Sequence, residues 1–577
     1  MDDALWDTIA TETDANPQEI KKLDVNYLPD GQHKIHITKS GAFIKFEYLG
    51  EDYLKIAKRI ENYFTLRAKT IMGVMKCLNC SKMDKANKRI IIPRFGVYEI
   101  LNNKHHLNNF TTISNISPGE TPNCAFEWRG ALTDNQILIY NEIIENYYSD
   151  ERCAIGSAGV IVNLEAGQGK SYLAAYLISV LQKKTAIILH STALLEQWVK
   201  VLQTALGPAI SIGYYYTKKK VLGDIMIFIV DSAANDQFII AGETIAALDL
   251  YNRFGFVILD ECHMYSNKTA LKALKSAQAP YMLGLSATPD EHVDGYDKAV
   301  WWAIGPVLDA SKLSGYIATS DDFTAEVHRI MYYGSNEYTK LIVNKATDMT
   351  STSETINMIC KDKIRNSIII DCICEGLDLG LCMFVFADRR QYLADLQKEL
   401  VTTKQITGEI IDSDADFVRI VGGAKYGELE NAELKSKVIF TTYQYMGTGK
   451  SVVKMNGLVL ATPRKTKMKQ YINRIFRLGS DMSIKRHIWD ICDMRLKMSN
   501  QWRIRLIHYN SKKYTITQKK IKYTDVSLEA IPLDHTSSDT EHKILENKPD
   551  IQNEYKNKHK KVLSIADSLI ARIKASK

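Results

Sequence analysis

The sequence has few of the features that define membrane, secreted or fibrous proteins. Its longest apolar runs, such as Ile225 to Val230 and Leu381 to Ala387, are far shorter than the roughly 18 residues of a membrane span. Its 10 cysteines among 577 residues have no regular spacing, which argues against a disulfide scaffold and favours a reducing compartment. The acidic start Met1 to Asp3 is unlike a basic signal peptide. We therefore expect a soluble intracellular protein with no membrane partner.

The net charge of +7 is small, but it is unevenly distributed. Residues 464 to 522 contain 17 Lys and Arg against 3 Asp and Glu, so the rest of the chain is mildly acidic. A basic stretch of this kind predicts contacts with a phosphate backbone, and a solvated basic linker is the alternative. The residues predicted to follow the backbone are Arg503, Arg505, Lys512, Lys513, Lys519, Lys520 and Lys522.

Two blocks of short apolar runs predict parallel sheets buried on both faces. The first block consists of Val160 to Leu164, Thr185 to Leu189, Ile225 to Val230, Phe256 to Leu259 and Tyr281 to Leu285. The second consists of Cys382 to Phe386, Val438 to Thr441, Leu458 to Ala461 and Ile488 to Ile491. Helical patterns separate the runs, which predicts an α/β fold with two lobes.

This pattern divides the chain into four segments. We expect an N-terminal α+β accessory domain over 1–128, a first lobe over 129–312, a second lobe over 313–510, and a basic flexible tail with a short helix over 511–577. The tail is predicted to be flexible because it is polar and has few aliphatic residues.

A phosphate-binding loop is predicted between the first strand and the helix that follows it. The segment after Leu164 reads Glu165, Ala166, Gly167, Gln168, Gly169, Lys170, Ser171. Glycines let backbone N–H groups close around phosphates, the lysine reaches the β and γ oxygens, and the serine hydroxyl holds Mg²⁺. Leu164 stands where the strict pattern has glycine, so the loop needs support from a second element.

That support comes from an acidic pair at the carboxyl end of a predicted strand. Asp260 and Glu261 follow Phe256 to Leu259, at the edge of a parallel sheet where ligands bind. We expect Asp260 to hold magnesium and Glu261 to orient or deprotonate the attacking water. Loop and pair together favour ATP hydrolysis with Mg²⁺ over an ordinary turn and a strand-capping acid.

The ordered set of motifs resembles the superfamily 2 helicases over about residues 130 to 495. Leu132 to Gln136 is similar to the glutamine element that reads adenine, Asp260 to His263 to a DExH box, and Ser286 to Thr288 to the Ser-Ala-Thr motif. Gln197 and Trp198 lie where motif Ia has them, and Phe384 to Phe386 resembles motif IV. Thr441 to Gly449 resembles motif V and Gln470 to Arg477 resembles motif VI.

Within the superfamily, the segments Ile90 to Gly96 and Gly422 to Gly423 resemble one group. It holds the xeroderma pigmentosum B repair helicase, the phage UvsW-type helicase and the poxvirus transcript-release helicase, and its viral members are the most similar. The resemblance implies two tandem RecA-like lobes, with Gln136 at the adenine. It also implies catalytic roles for Lys170, Asp260, Glu261, His263, Gln470, Arg474 and Arg477, and coupling or nucleic-acid roles for Ser286, Thr288, Thr441, Thr442 and Gly449.

Arg474 and Arg477 are three residues apart on a predicted helix, so we expect both to reach the γ-phosphate from the second lobe. ATP would then be enclosed only when the lobes close, and cycling of ATP would become movement along a strand. Two solvated helix arginines are the bland alternative.

The leading hypothesis is an ATP-dependent helicase or translocase on DNA, with RNA or an RNA–DNA hybrid as alternative substrates. The alternative function is an ATP-driven factor that releases transcript from a transcription complex without processive unwinding. An RNA polymerase or a replication complex is the expected protein partner. A viral protein of this kind would act at the site of genome transcription or replication, or be packaged in the virion.

Two further patterns leave alternatives open. Cys77 and Cys80, with His105, His106 and Cys124 downstream, have zinc-ligand chemistry, but a single pair is more often coincidence. Tyr214 to Tyr216 before Lys218 to Lys220 is typical either of a nucleic-acid contact or of a solvated hairpin.

Overall fold

The computed structural model describes most of residues 34–524, together with 531–532. The residues between 34 and 524 that it does not describe are 39–40, 70–74, 98–110, 166, 218, 288–295, 318–323, 341, 345–348, 407–415, 422–433, 447–451, 465–467, 477–480, 482 and 497–500.

The N-terminal part is an α+β unit with a five-stranded sheet in the order β5-β6-β2-β1-β7. Its elements are β1 (Lys34–Thr38), β2 (Gly41–Lys45), α1 (Tyr53–Tyr63), β3 (Thr65–Lys69), β4 (Met75–Asn79), β5 (Lys82–Asp84), β6 (Arg89–Ile92) and β7 (Thr111–Ser114). Strands β3 and β4 form a separate antiparallel hairpin.

This unit shares one hydrophobic core with the lobe that follows. Arg94 is buried and donates to the carbonyl oxygens of Gly156, Ala279 and Pro280. Further along, Phe126 already packs in the core of the lobe. The boundary predicted at 128/129 therefore cuts through packed structure, because the chain joins the first lobe before residue 129.

The first lobe is built on an eight-stranded sheet in the order β11-β10-β12-β9-β15-β16-β8-β17. All neighbouring pairs are parallel except β10 and β11. The strands are β8 (Gly159–Asn163), β9 (Thr185–Leu189), β10 (Ile212–Tyr216), β11 (Lys219–Val221), β12 (Ile225–Ile229), β15 (Phe256–Asp260), β16 (Tyr281–Ser286) and β17 (Val307–Asp309), with a separate hairpin of β13 (Gln237–Ile240) and β14 (Glu243–Ala246). All five strands predicted in the first block are present, within a residue or two of the predicted ends.

Helices cover both faces of this sheet, as expected when every central strand is apolar on both sides. They are α2 (Asp134–Glu142), α3 (Asp150–Ala154), α4 (Lys170–Leu181), α5 (Leu195–Leu206), α6 (Val230–Ala233), α7 (Ala247–Asn252), α8 (Lys268–Ser276) and α9 (Asp297–Ile304), with a π-helical turn at Ile143–Tyr147.

The second lobe repeats the architecture, with strand order β22-β23-β21-β24-β25-β18-β26-β27. Its strands are β18 (Ala325–Tyr333), β21 (Met383–Ala387), β22 (Phe417–Ile420), β23 (Val438–Thr442), β24 (Gly457–Leu460), β25 (Arg486–Asp493), β26 (Thr515–Lys522) and β27 (Ile531–Pro532), and β19 (Val343–Asn344) pairs with β20 (Met349–Thr350). Its helices are α10 (Thr352–Ile359), α11 (Lys363–Asp378), α12 (Arg390–Ile406), α13 (Tyr443–Met446), α14 (Met468–Ile472) and α15 (Gln501–Ser511). The fold is thus α/β with two tandem RecA-like lobes, as predicted.

The prediction that a flexible tail begins at residue 511 was wrong. Strand β26 pairs in parallel with β18 along its whole length, so the second lobe extends at least to Lys522. Strand β26 lies next to the last strand of the sheet. Its lysines make its sequence look like a polar segment, so the alternating pattern of a strand was not recognised. The predicted helix at Val562 to Ile573 lies outside the described residues.

No described helix has the length and apolar character needed to cross a bilayer.

Candidate ATP site between the lobes

The phosphate-binding loop leads from β8 into α4. Gly167 and Gly169 both have positive φ, at 90° and 72°, a conformation that side chains strongly disfavour. A Cβ on Gly169 would also press on the amide nitrogen of Gln136. Lys170 and Ser171 then begin α4, where backbone N–H groups have no partner within the helix. This geometry suits an anion at the helix N-terminus. Ala166 lies outside the described residues.

Gln136 lies directly against this loop. It is the N3 residue of a capping box with Thr133, whose side chain accepts from the Gln136 backbone N–H. The Gln136 Nε2 group donates to the Gly169 carbonyl at 3.1 Å, and Oε1 accepts from Thr133 N at 2.9 Å. Nε2 also lies 3.4 Å from the Gln168 carbonyl oxygen, so the loop holds the nitrogen of the Gln136 amide while Thr133 holds its oxygen.

The acidic pair closes the other side of the loop. Asp260 ends β15, and Glu261 follows with a left-handed φ of 49°. Asp260 Oδ2 accepts from the indole Nε1 of Trp198 at 2.8 Å, and Oδ1 accepts from the Glu261 backbone N–H at 3.0 Å. Both carboxylates are buried. The indole N–H therefore fixes the orientation of the predicted magnesium ligand.

Burial and neighbouring charges shift the pKa values of the two carboxyl groups in opposite directions. Burial, and then the charge of Glu261, raise the pKa of Asp260 to about 6. Burial also acts to raise the pKa of Glu261, but the charges of Lys170, His263 and Arg474 outweigh it and lower that pKa. The lowered pKa keeps Glu261 ionised, with Lys170 and Arg474 as its permanently charged neighbours, and ionised is the state a general base needs.

His263 connects the acidic pair to the next strand. Its Nδ1 atom lies 3.0 Å from Ser286 Oγ and 3.4 Å from Glu261 Oε2. All three side chains are buried. The structure therefore brings together the predicted residues His263 and Ser286, whereas Thr288 lies outside the described residues.

The second lobe contributes Arg474, which is buried and interacts electrostatically with Glu261. Burial lowers the pKa of Arg474 to about 10, and the Glu261 charge opposes this shift, so the guanidinium stays charged at neutral pH. Gln470 is buried on α14 nearby in sequence. Arg474 lies in the 3-10 helix Asn473–Ile475, which continues directly from α14, in agreement with the predicted helical placement. Arg477 lies outside the described residues.

A second contact crosses between the lobes at the same loop. Lys512 Nζ, just after α15, lies 3.0 Å from Glu165 Oε1. Sequence reasoning assigned Lys512 to a nucleic-acid footprint and missed this pairing, because the two residues are 347 positions apart. It also noted Trp198 only as part of a motif, without its bond to Asp260.

The predicted coupling residues Thr441 and Thr442 are buried at the end of β23. Thr442 Oγ1 accepts from the Tyr445 N–H at 3.3 Å and so supports the turn into α13. Gly449 lies outside the described residues.

The donor set fits Mg²⁺. Ser171 and Asp260 offer a hydroxyl and a carboxylate, the oxygen ligands that this ion prefers. The buried, repelling pair of Asp260 and Glu261 is also a place where a divalent cation would relieve unfavourable charge.

The prediction that Arg505 contacts a phosphate backbone was wrong. Arg505 is buried, and its guanidinium donates to both carboxylate oxygens of Asp490 at 2.7 and 2.8 Å. It therefore holds α15 against β25 and has no surface for a phosphate backbone. Arg503, Lys513, Lys519 and Lys522 are exposed.

The structure also describes parts of the two remaining patterns, the cysteine pair and the tyrosine–lysine run. Cys77 is exposed and Cys80 is buried, and neither belongs to a group of potential metal ligands among the described residues. His105 and His106 lie outside those residues. In the tyrosine run, Tyr215 is buried in the core, whereas Lys219 Nζ lies 4.0 Å from the ring centre of Tyr214 within the β10–β11 hairpin. Lys218 lies outside the described residues.

Fold and site are those of a two-lobed ATP-hydrolysing enzyme, and comparison with known proteins agrees. The family described as "Type III restriction enzyme, res subunit" (ResIII) matches residues 129–291. The "Putative ATP-dependent RNA helicase QP509L" of African swine fever virus is 26% identical over 387 residues, covering 63% of this chain and 70% of that protein. The "Transcript termination protein A18" of Yaba-like disease virus is 23% identical over 334 residues, covering 55% and 64%.

Among solved structures, the crystal structure of T4 UvsW aligns with 85% of this chain and 99% of its own, at 17% identity and a TM-score of 0.31. The chain is therefore similar to viral ATP-dependent helicases. It is an ATP hydrolase.

Proposed function

We propose that the chain hydrolyses ATP in the cleft between its lobes and uses the cycle to move along, and separate, strands of DNA. The observation that carries this proposal is the burial of Arg474 of the second lobe at a position where its charge acts on Glu261 of the first lobe. A motor needs hydrolysis to depend on lobe closure, and an arginine supplied by the second lobe would make it so.

In the proposed reaction, the loop backbone and Lys170 bind the β- and γ-phosphates. Glu261 orients the attacking water and takes its proton as the water oxygen bonds to the γ-phosphorus and the bond to the ADP oxygen breaks. Arg474 neutralises charge that develops on the γ-phosphoryl oxygens. Ser171 and Asp260 would hold Mg²⁺, which when bound neutralises phosphate charge. His263 links this centre to Ser286 and so to the next strand.

DNA is the proposed substrate, supported by the resemblance to the repair and phage helicase group. RNA and RNA–DNA hybrids are the alternatives, because the relative in African swine fever virus is named for RNA. Exposed cations at the end of the second lobe, among them Arg503, Lys513 and Lys519, supply charge for a phosphate backbone.

A second candidate function is release of transcript from a transcription complex without processive unwinding. It is favoured by the similarity to a poxvirus protein named for transcript termination. An RNA polymerase would then be the partner, and the same ATP site would power the release.

ATPase assays with single-stranded DNA, duplex DNA, RNA and an RNA–DNA hybrid test the substrate class. Hydrolysis that no polynucleotide stimulates would contradict both functions. A forked-duplex assay separates them: strand separation by the wild type but not by Lys170→Ala or Glu261→Gln supports the helicase. Stimulated hydrolysis without separation supports the transcript-release factor.

A further inference from the structure

A cluster of potential metal ligands lies in the second lobe, outside the ATP site. Glu326 and His328 are two residues apart on β18, so they share one face of the sheet. His487 on the neighbouring strand β25 is the register partner of Glu326. One ligand atom from each of the three residues lies within 4.8 Å of the other two. The register of the parallel strands thus brings together residues about 160 positions apart.

The two imidazoles are already oriented towards each other. His328 Nε2 and His487 Nδ1 are 2.9 Å apart, and the rings stack with an angle of 7° between their planes. Two nitrogens bound to one tetrahedral zinc ion at about 2.05 Å would be about 3.3 Å apart. A separation change of a few tenths of an ångström would therefore admit an ion.

Neighbouring residues support this arrangement. Thr517 Oγ1 on β26 lies 3.0 Å from His328 Nδ1, so a proton on Nδ1 leaves the Nε2 lone pair directed at the cluster. Without an ion, His487 Nδ1–H would donate to this lone pair; on binding, the His487 proton would move to Nε2, so neutral rings release no net proton. Glu326 and His328 have side chains only 20% and 16% exposed, which limits competition from water.

We propose that Glu326, His328 and His487 form a binding site for a divalent transition-metal ion, for which Zn²⁺ is the appropriate probe. Two imidazoles and one carboxylate suit zinc better than magnesium or calcium, which prefer oxygen ligands. The ion would tie β18 to β25 and leave an open coordination position.

Lys485 would compete with a metal ion for the Glu326 carboxylate. Its Nζ atom lies 2.6 Å from Glu326 Oε2, and its side chain is 44% exposed. The lysine can therefore turn into solvent when an ion arrives, at the cost of its ion pair. This arrangement gives the proposal two variants of opposite sign: loss of a histidine abolishes binding, and loss of Lys485 strengthens it.

The experiment is equilibrium dialysis of the full chain against micromolar Zn²⁺ in millimolar Mg²⁺, so that oxygen-ligand sites are filled with magnesium. We expect one zinc per wild-type chain, none at this site in His328→Gln/His487→Gln, and about two- to fivefold tighter binding in Lys485→Ala, which is what an exposed ion pair is worth. His36→Gln is the matched control, because His36 is also a half-buried strand histidine, stacked on Phe43 in the N-terminal sheet.

Cobalt substitution identifies the ligands, since the chain has 10 cysteines. Co²⁺ bound at this site should show d–d absorption without a thiolate charge-transfer band. Equal zinc content in the wild type and the double variant, or a thiolate band in both, would overturn the proposal. Should the double variant misfold, an unchanged affinity in Lys485→Ala, a half-exposed position, would overturn it as well.

Discussion

The bond between Trp198 and Asp260 makes a sharp prediction about magnesium binding. The indole Nε1 donates to Asp260 Oδ2 at 2.8 Å, and both side chains are buried. Trp198→Phe keeps an aromatic ring in the core but removes the donor. The carboxylate that would hold Mg²⁺ then loses both its orientation and a compensating hydrogen bond.

The size of the effect follows from the character of the bond. A hydrogen bond to a charged group is worth about 1.5–3 kcal/mol, which corresponds to roughly 10- to 100-fold in an equilibrium constant. Loss of residues that orient metal ligands costs about 10- to 100-fold in metal affinity or activity, which agrees. We therefore expect the Mg²⁺ concentration for half-maximal ATPase activity to rise by 10- to 100-fold.

The assay is an Mg²⁺ titration of ATPase activity at fixed ATP. Trp302→Phe is the matched control: Trp302 is also buried in the first lobe, and its Nε1 has no hydrogen-bond partner among the described residues. The control should lose packing but keep the wild-type Mg²⁺ dependence. An unchanged Mg²⁺ dependence in folded Trp198→Phe would refute the view that this indole positions Asp260.

Three further changes test other contacts. The pair of Lys512 and Glu165 is partly exposed, so Lys512→Ala and Glu165→Ala should each raise the KM for ATP about two- to fivefold. The double variant should raise the KM no more than either single variant does. Additive effects in this mutant cycle would contradict a direct contact. Arg365 is fully buried in an ion pair with Asp493, so Arg365→Met should lower the free energy of unfolding by about 3–5 kcal/mol in urea titrations, and an unchanged midpoint would count against it. Burial, with Lys469 and Lys512 nearby, lowers the pKa of His508 to about 4. The unfolded chain therefore binds a proton that the folded chain does not, and stability should fall as the pH drops from about 6.5 to about 4. His508→Gln should flatten this dependence, measured by urea unfolding at several pH values.

Much of the fold was predictable because buried parallel strands are apolar on both faces. Thr185–Leu189, for example, was predicted to the residue. The glycine-containing turn into α4 was also predictable. Gly167, Gly169 and Lys170 lie within four consecutive residues, so the pattern can be recognised from the local sequence alone. Asp260 and Glu261 are likewise adjacent in sequence, at the end of a single strand.

Contacts between distant segments could not be read in this way. Arg94 donates to three carbonyl groups of the first lobe, and nothing in its local sequence distinguishes it from a surface arginine. Trp198 lies 62 positions from Asp260, and Lys512 lies still farther from Glu165. Charge density was equally ambiguous: Arg505 and Lys513 belong to the same basic stretch, yet one is buried in an ion pair and the other is exposed.

The charges in the cleft explain why lobe closure and hydrolysis should be linked. The charges of Lys170 and Arg474 help to lower the pKa of Glu261, and of these two residues only Arg474 comes from the other lobe. In the proposed cycle, opening of the lobes would remove this cation from Glu261 and expose Arg474. A bound γ-phosphate would compete with Glu261 for the same guanidinium. Glu261→Gln should therefore do more than remove a base, because it also removes the attraction that draws Arg474 towards the first lobe before ATP binds.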